Sequence, residues 1–530
     1  MQKFSSSSSK QSWLAGSVLI LVTLLLYAPT LFSQFLYYDD DFYIFENVHV
    51  LSGLSPTFFK WFLTANVIGN WHPLTFLSHA IDCQIFGLWP GGHHLTSVLF
   101  HAANALLVFI LFSRMTGSVE KSFLLAAVFA WHPVKIESVA WVAERKDVLS
   151  TFFVLLSLIC YVAYTKSREL TLQNKQKYIH FIVCGLFFVL SLLCKPMYVT
   201  LPILLFLFDI WPLQRKDLTF NLIFEKIPFA FFSVVSCLIT YKIVQATAGA
   251  VAEPQPNLSF FYKVFEIGQH YADYLKAFFF PSHLSPFYPA LPIRSHFLPA
   301  VWTGALILST LFFFSKRKTF APAWIGWCFF LVGMLPVVGI IQVGSHSIAC
   351  RYLYGPSLGL SFAVIWSVCK IAERNKWQKA LPWLSALTLT ILLCISSRDL
   401  PYWQNTYKLF YHALQVSPQN NITAHINLRS AYSREGKRAE AAVHLIEAIE
   451  LSPKVTERFS VSWSDFYWMS EVFLKRGERE KAITSLSRAY EMLSSPVVAS
   501  DDKAPTLEKL QVCIERIKAD QISSCELTPV

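Results

Sequence analysis

Three consecutive carboxylates, Asp39, Asp40 and Asp41, sit among tyrosines in the stretch QFLYYDDDFYIFENVHV, residues 34–50. They follow directly on the apolar run Trp13–Phe32, which at about 1.5 Å per helical residue is long enough to cross a bilayer. Ionised side chains that close to a membrane exit are costly, and where they occur they face a water-filled cavity or a substrate path. A solvated acidic cap would account for the charge alone. The flanking Tyr37, Tyr38, Phe42, Tyr43 and Phe45 argue for more, because carboxylates set between aromatic rings make a surface suited to a sugar.

A second polar cluster, WHPVKIESVAWVAERKD over 131–147, packs His132, Lys135, Glu137, Glu144, Arg145, Lys146 and Asp147 into one short segment between apolar runs. Charges at a bilayer surface serve solubility first, yet Arg145 and Lys146 beside a cavity suit an anion, and a guanidinium grips a phosphate with two parallel bonds. The third cluster, VGSHSIACRYLYGP over 343–356, offers His346, Arg351, Tyr352 and Tyr354, although an Arg at a span's mouth can simply reach for headgroups. Lys195–Pro196 either binds an anion or ends a helix. The histidines His72, His79, His93, His94 and His101 do not repeat an HxxxH spacing with a third ligand, so no metal site is expected.

One acidic and two basic sites around a common cavity fit a lipid-linked phosphosugar. Cations hold the phosphate while a carboxylate serves as general base toward an acceptor hydroxyl. No GxxxxGKS loop is present, which argues against a nucleotide sugar held by a P-loop.

The chain that must position these groups has 530 residues, 54% hydrophobic and only 15% charged, where soluble domains carry about 25% charged residues. It reads as an all-α polytopic membrane protein. Apolar windows predict about eleven spans, near 13–34, 95–113, 122–134, 148–165, 178–194, 198–213, 228–246, 298–315, 322–341, 355–372 and 380–396. The net charge of +11 comes from Lys and Arg gathered in short loops that alternate with the three polar clusters, which puts the basic loops in the cytoplasm and the clusters outside. Residues 58–92 and 262–280 are too polar to cross and are expected as interfacial helices on the outer side. The eleven scattered cysteines show no CxxC and imply no disulfide framework.

After Arg398 the composition turns to that of a soluble helical domain. Leu428, Ala431, Tyr432, Gly436, Ala441, Leu445, Ala448 and Pro453 match a 34-residue tetratricopeptide repeat, and a second copy runs near 463–496. The expected domains are therefore 1–398, embedded in the membrane, and 399–530, a repeat domain on the extracytoplasmic side.

YYDDDFYIFEN, NWHPLTFLSHAID, GLWPGGHHLTSVLFHAANALL, FAWHPVKIESVAWVAERKDVLS, CKPMYVTLP and RYLYGPSLGL, in that order and followed by the repeats, resemble the transmembrane and tetratricopeptide repeat-containing proteins, in wording closest to their bacterial relatives. The resemblance implies a GT-C-type bundle and a polyprenyl-phosphate-sugar-dependent O-mannosyltransferase activity. It maps the acidic pair onto Asp39 and Asp40 as catalytic residues, one as base and the other orienting it. It maps donor phosphate and sugar binding onto His132, Glu137, Arg145, Asp147, Arg351 and Tyr352. It implies no metal and no cofactor beyond the lipid-linked sugar itself, with a protein or glycan acceptor engaged through the repeats. It implies no nucleic acid. The location expected is a bacterial inner membrane with a periplasmic repeat domain, or the endoplasmic reticulum membrane in a eukaryote. Two other classes fit the composition: a flippase of lipid-linked saccharides, which predicts internal symmetry that the sequence does not show, and a membrane-anchored repeat scaffold.

Overall fold

A computed structural model describes residues 6–169, 174–215, 220–251, 260–290, 297–340, 346–459, 461–494 and 503–521. Part of the expected outer loop 247–297, and residues 343–345 of the third cluster, lie outside them. The described residues are helical, with two isolated backbone bridges in place of strands. They divide into two compact units, Met1–Asn405 and Thr406–Val530.

In the first unit, seven helices among the described residues are long and apolar enough to cross a membrane: Lys10–Phe32, Pro90–Thr116, Val142–Arg168, Lys175–Cys194, Phe220–Ala246, Phe297–Ser315 and Gln378–Gln404. Val119–Trp131 with Pro133–Ala140 makes an eighth if this pair, bent by 57°, counts as one span. The chain is an integral membrane protein. The remaining windows of the eleven behave differently. Leu201–Ile210 and Ala321–Met334 are apolar but have 10 and 14 residues, about 15 and 21 Å of helix against a hydrocarbon core of about 30 Å. Ser357–Arg374 ends in Lys370, Glu373 and Arg374 and is not among the apolar spans.

Several details explain how the bundle closes. Pro90, Pro133 and Pro196 open their helical turns, where the missing N–H costs nothing. Gly326 and Gly359 let Ala321–Met334 and Ser357–Arg374 cross at backbone contact, since a Cβ on Gly359 would stand 2.5 Å from the Gly326 oxygen and 2.8 Å from the Phe330 nitrogen. The stretch between the first two spans forms short helices, Pro56–Trp61 and Pro73–Phe86, and Phe260–Phe279 is a helix outside the set of apolar spans.

The second unit stacks the hairpins Ile422–Arg434/Arg438–Leu451 and Trp463–Lys475/Arg479–Ser494, with Lys503–Lys518 packed behind them. Leu445, Ala448, Phe466, Phe473, Leu486, Ala489 and Leu510 share one core. Gly436 and Gly477 take φ of 76° where each hairpin turns, a conformation that costs glycine least. Nine cysteines are free, whereas Cys513 is disulfide-bonded, a bond that the scattered cysteine spacing did not signal.

Candidate active site

The first polar loop is fixed by its aromatics. The Trp141 indole donates to the Tyr38 carbonyl at 2.7 Å, and the two rings stack with centroids 4.3 Å apart. Asp39 then takes φ of 68°, a left-handed conformation that Asp tolerates better than most residues. That reversal sends successive carboxylates in different directions. Asp40 is fully buried, its Oδ2 accepting the Leu36 N–H and its Oδ1 the Ala143 N–H, both at 2.8 Å. Asp39 is half-buried; its carbonyl accepts the Tyr43 N–H at 2.9 Å, while its carboxylate accepts no hydrogen bond from the described residues. Asp41 begins one wide helical turn, Asp41–Phe45, closed by Glu46 N–H donating to the Asp41 carbonyl. Such i→i+5 turns recur at functional sites.

The second segment separates residues that are adjacent in sequence. His132 accepts the Val134 N–H at Nδ1 and donates from Nε2 to the Phe278 carbonyl at 2.9 Å, its ring stacked on Phe278. Both nitrogens are therefore spent on holding the turn after Val119–Trp131. Lys135 is spent similarly on the carbonyls of Leu353 and Tyr354 and on the Ser357 hydroxyl. Arg145 points away from the aspartates. Its guanidinium meets Asp82 at 2.6 Å, Ser78, Ser97 and the His93 carbonyl, and is fully buried. At about 100° per residue, the same helix start turns Glu144, Lys146 and Asp147 to other faces.

Those faces meet the third cluster. Glu144 binds Lys146 at 3.0 Å, Lys195 at 3.0 Å and Arg351 at 3.4 Å. Lys195 also binds Asp147 at 2.7 Å, whose other oxygen accepts from Ser138. Glu137 takes both the side chain and the backbone N–H of Arg351, at 2.5 and 3.0 Å. Tyr352 reaches His346 Nε2 at 3.0 Å, and the Lys195 ammonium lies 5.5 Å from the Tyr352 ring. Burial and the neighbouring Arg351 push His346 down to about 3, so its Nε2 remains an acceptor. The Lys146 ammonium sits 4.6 Å from the Tyr43 ring, a cation–π contact that helps hold it beside Glu144.

Electrostatics tie the first loop to this network. Burial raises Asp39 above the ordinary carboxylate range; Lys146 and Arg351 pull it down, while Glu144 and Asp41 add to the rise. Asp40 is pushed up to about 8 by burial, against the pull of its two amide donors. A half-buried carboxylate with a raised pKa and no hydrogen-bond partner on its oxygens can take a proton from an acceptor. The Lys146 ammonium acts on it directly, and across Glu144 stands Lys195, which has an N–H to spare because Lys carries three donors and two of them go to Glu144 and Asp147.

Of the residues singled out in the sequence, Glu137, Asp147, Arg351 and Tyr352 belong to one charged network that Asp39 meets through the fields of Lys146 and Arg351, while Asp40 holds backbone amides and His132 and Arg145 face their own partners within the protein. Glu144 is the network's centre, yet nothing in its spacing distinguishes it from Glu137. Trp141, the stacking partner of Tyr38, carried no signal beyond being aromatic. Asp82, the partner of Arg145, lay in a stretch read only as interfacial helix.

Sequence comparisons agree with the motifs. The chain is 31% identical to the human protein O-mannosyl-transferase TMTC2 over 41% of its own length and 26% of that relative. It is 24% identical to mouse TMTC3 over 72% of its length and 44% of that relative. It is 23% identical to human TMTC4 over 70% of its length and 56% of that relative. The chain thus spans about a quarter to about half of the length of these three relatives. No family model and no solved structure matches it. The shared stretch and the ordered motifs agree: the chain is TMTC-like, a sequence relative of the protein O-mannosyl-transferases TMTC2, TMTC3 and TMTC4.

Proposed function

We propose that the chain is a membrane glycosyltransferase that moves a hexose, mannose by analogy with its relatives' names, from a polyprenyl-phosphate donor to a hydroxyl of a protein or glycan on the extracytoplasmic side. Asp39 is the general base. It takes the proton of the acceptor hydroxyl as that oxygen attacks the anomeric carbon, and the bond from that carbon to the phosphate oxygen breaks with the electron pair leaving on phosphate. Lys195 and Lys146 receive the phosphate with their remaining N–H donors. Arg351 and Glu137 hold the segment that carries Tyr352, and Asp40 fixes the backbone on which Asp39 is mounted. The disulfide at Cys513 supports an extracytoplasmic repeat unit, because such bonds persist in oxidising compartments.

The observation that carries this reading is the contrast within the acidic pair: the Asp40 carboxylate is consumed by two backbone amides, while the Asp39 carboxylate stands beside Lys146 with no hydrogen-bond partner. The test is transfer of labelled mannose from polyprenyl-phosphate mannose by purified full-length protein. Asp39→Asn should lower kcat by about 10²–10⁴-fold, the ordinary worth of a general base, with little change in donor KM. Full activity in that variant ends the assignment.

A further inference from the structure

A second group of polar side chains is buried behind the site. His79 and Asp82 lie one turn apart on the helix Pro73–Phe86, and His93 lies in the first turn of Pro90–Thr116. All three are buried, and one ligand atom from each lies within 4.8 Å of the others. Three details make this more than a cluster. The His93 Nε2–H donates to the Gly87 carbonyl at 3.0 Å, so the neutral ring presents a bare lone pair at Nδ1. That lone pair faces the Asp82 Oδ2 at 3.6 Å and has no hydrogen-bond partner. Both ring nitrogens of His79 are likewise buried without a partner. Two acceptors that confront one another in a dry site repel, and a fully buried imidazole with neither nitrogen satisfied loses its hydration without return. Outer contacts are in place as well: Thr96 donates to Asp82 Oδ1 at 2.9 Å, and the Gly87 carbonyl sets the His93 tautomer, as carbonyls do behind metal-bound imidazoles.

We propose that His79, Asp82 and His93 form a structural site for a divalent transition-metal ion, zinc being the first-choice occupant for two imidazoles and a carboxylate. The ion takes a lone pair from each histidine and one from Asp82, and so answers His93 Nδ1 and one of the two His79 nitrogens. Arg145 shares the Asp82 oxygen at 2.6 Å and weakens the site by its charge; it keeps Ser78, Ser97 and the His93 carbonyl as acceptors when Asp82 turns to the ion. The ion would pin the corner between the two helices against Arg145, whose next residue is Lys146 of the active site. The inference does not depend on the transferase reading.

The test uses full-length protein purified without chelator, with metal content measured by inductively coupled plasma mass spectrometry and thermal stability followed with and without a strong chelator. About one zinc per chain and a Tm lowered by chelator are expected. His79→Phe, which keeps a planar ring, is somewhat larger and breaks no hydrogen bond, should lose the metal and the chelator response and melt lower than the parent. The proposal is overturned if the parent holds no metal and takes up neither zinc nor cobalt(II) on titration. It is equally overturned if His79→Phe melts as high as the parent, because relief of an orphaned imidazole would then be the whole effect.

Discussion

Asp40 joins two loops that lie far apart in the chain: its carboxylate accepts the Ala143 N–H at 2.8 Å on one oxygen and the Leu36 N–H at 2.8 Å on the other. The same clamp leaves Asp39, one residue earlier, turned by a positive φ into the charged network. Two adjacent residues of one type therefore serve separate ends, one holding structure and one available for proton transfer.

The clamp predicts a split between stability and activity. Asp40→Ala leaves two backbone N–H groups buried without acceptors, at about 1–3 kcal/mol each, and should lower Tm markedly. Asp39→Asn removes no hydrogen bond and should leave Tm within the narrow range of ordinary surface changes while abolishing transfer. Thermal unfolding alongside single-turnover transfer separates the two, and equal effects of both substitutions on both readouts would refute the division of labour.

On the proposed reading, the raised pKa of Asp39 sets the pH dependence of transfer. The base works only when ionised, so activity should fall as pH drops through a pKa above the ordinary carboxylate value. Lys146 is the strongest charge pulling that pKa down. Lys146→Met should therefore move the acid limb of kcat/KM to still higher pH, and a limb that stays put or moves down would contradict the arrangement.

Lys195 and Arg145 should behave in opposite ways. Lys195→Met removes a phosphate ligand, worth about 1.5–3 kcal/mol for a charged hydrogen bond, and should raise donor KM roughly 10- to 100-fold while kcat changes less. Arg145→Met strands Asp82 in the interior and should cost about 3–5 kcal/mol of stability, a loss read in Tm. Donor titrations and melting curves on the two variants would show whether the division holds.

The crossing of Ala321–Met334 with Ser357–Arg374 offers a test remote from the chemistry. Gly359→Val places a side chain against the Gly326 oxygen and the Phe330 nitrogen, and overpacking of this kind costs about 1–3 kcal/mol. A lower Tm, with the acid limb of the transfer profile unmoved, is expected.

Much of this protein was written in one dimension. Long apolar windows gave the seven apolar spans, because a bilayer imposes length and composition on any helix that crosses it. The composition changes after Arg398, close to the division of the described residues at Asn405, and tyrosines flank Asp39 and Asp40 in the acidic loop. What composition could not decide was direction. Residues 144–147 read as one charged run, yet helical rotation sends Arg145 to Asp82, Glu144 to Lys146, Lys195 and Arg351, and Asp147 to Lys195. Only tertiary packing paired Glu137 with Arg351 across 214 residues, since ion-pair partners are chosen by where helices end in space. The same holds for Asp39 and Asp40, identical in type and adjacent in sequence, which a single positive φ and one amide from a distant loop set apart.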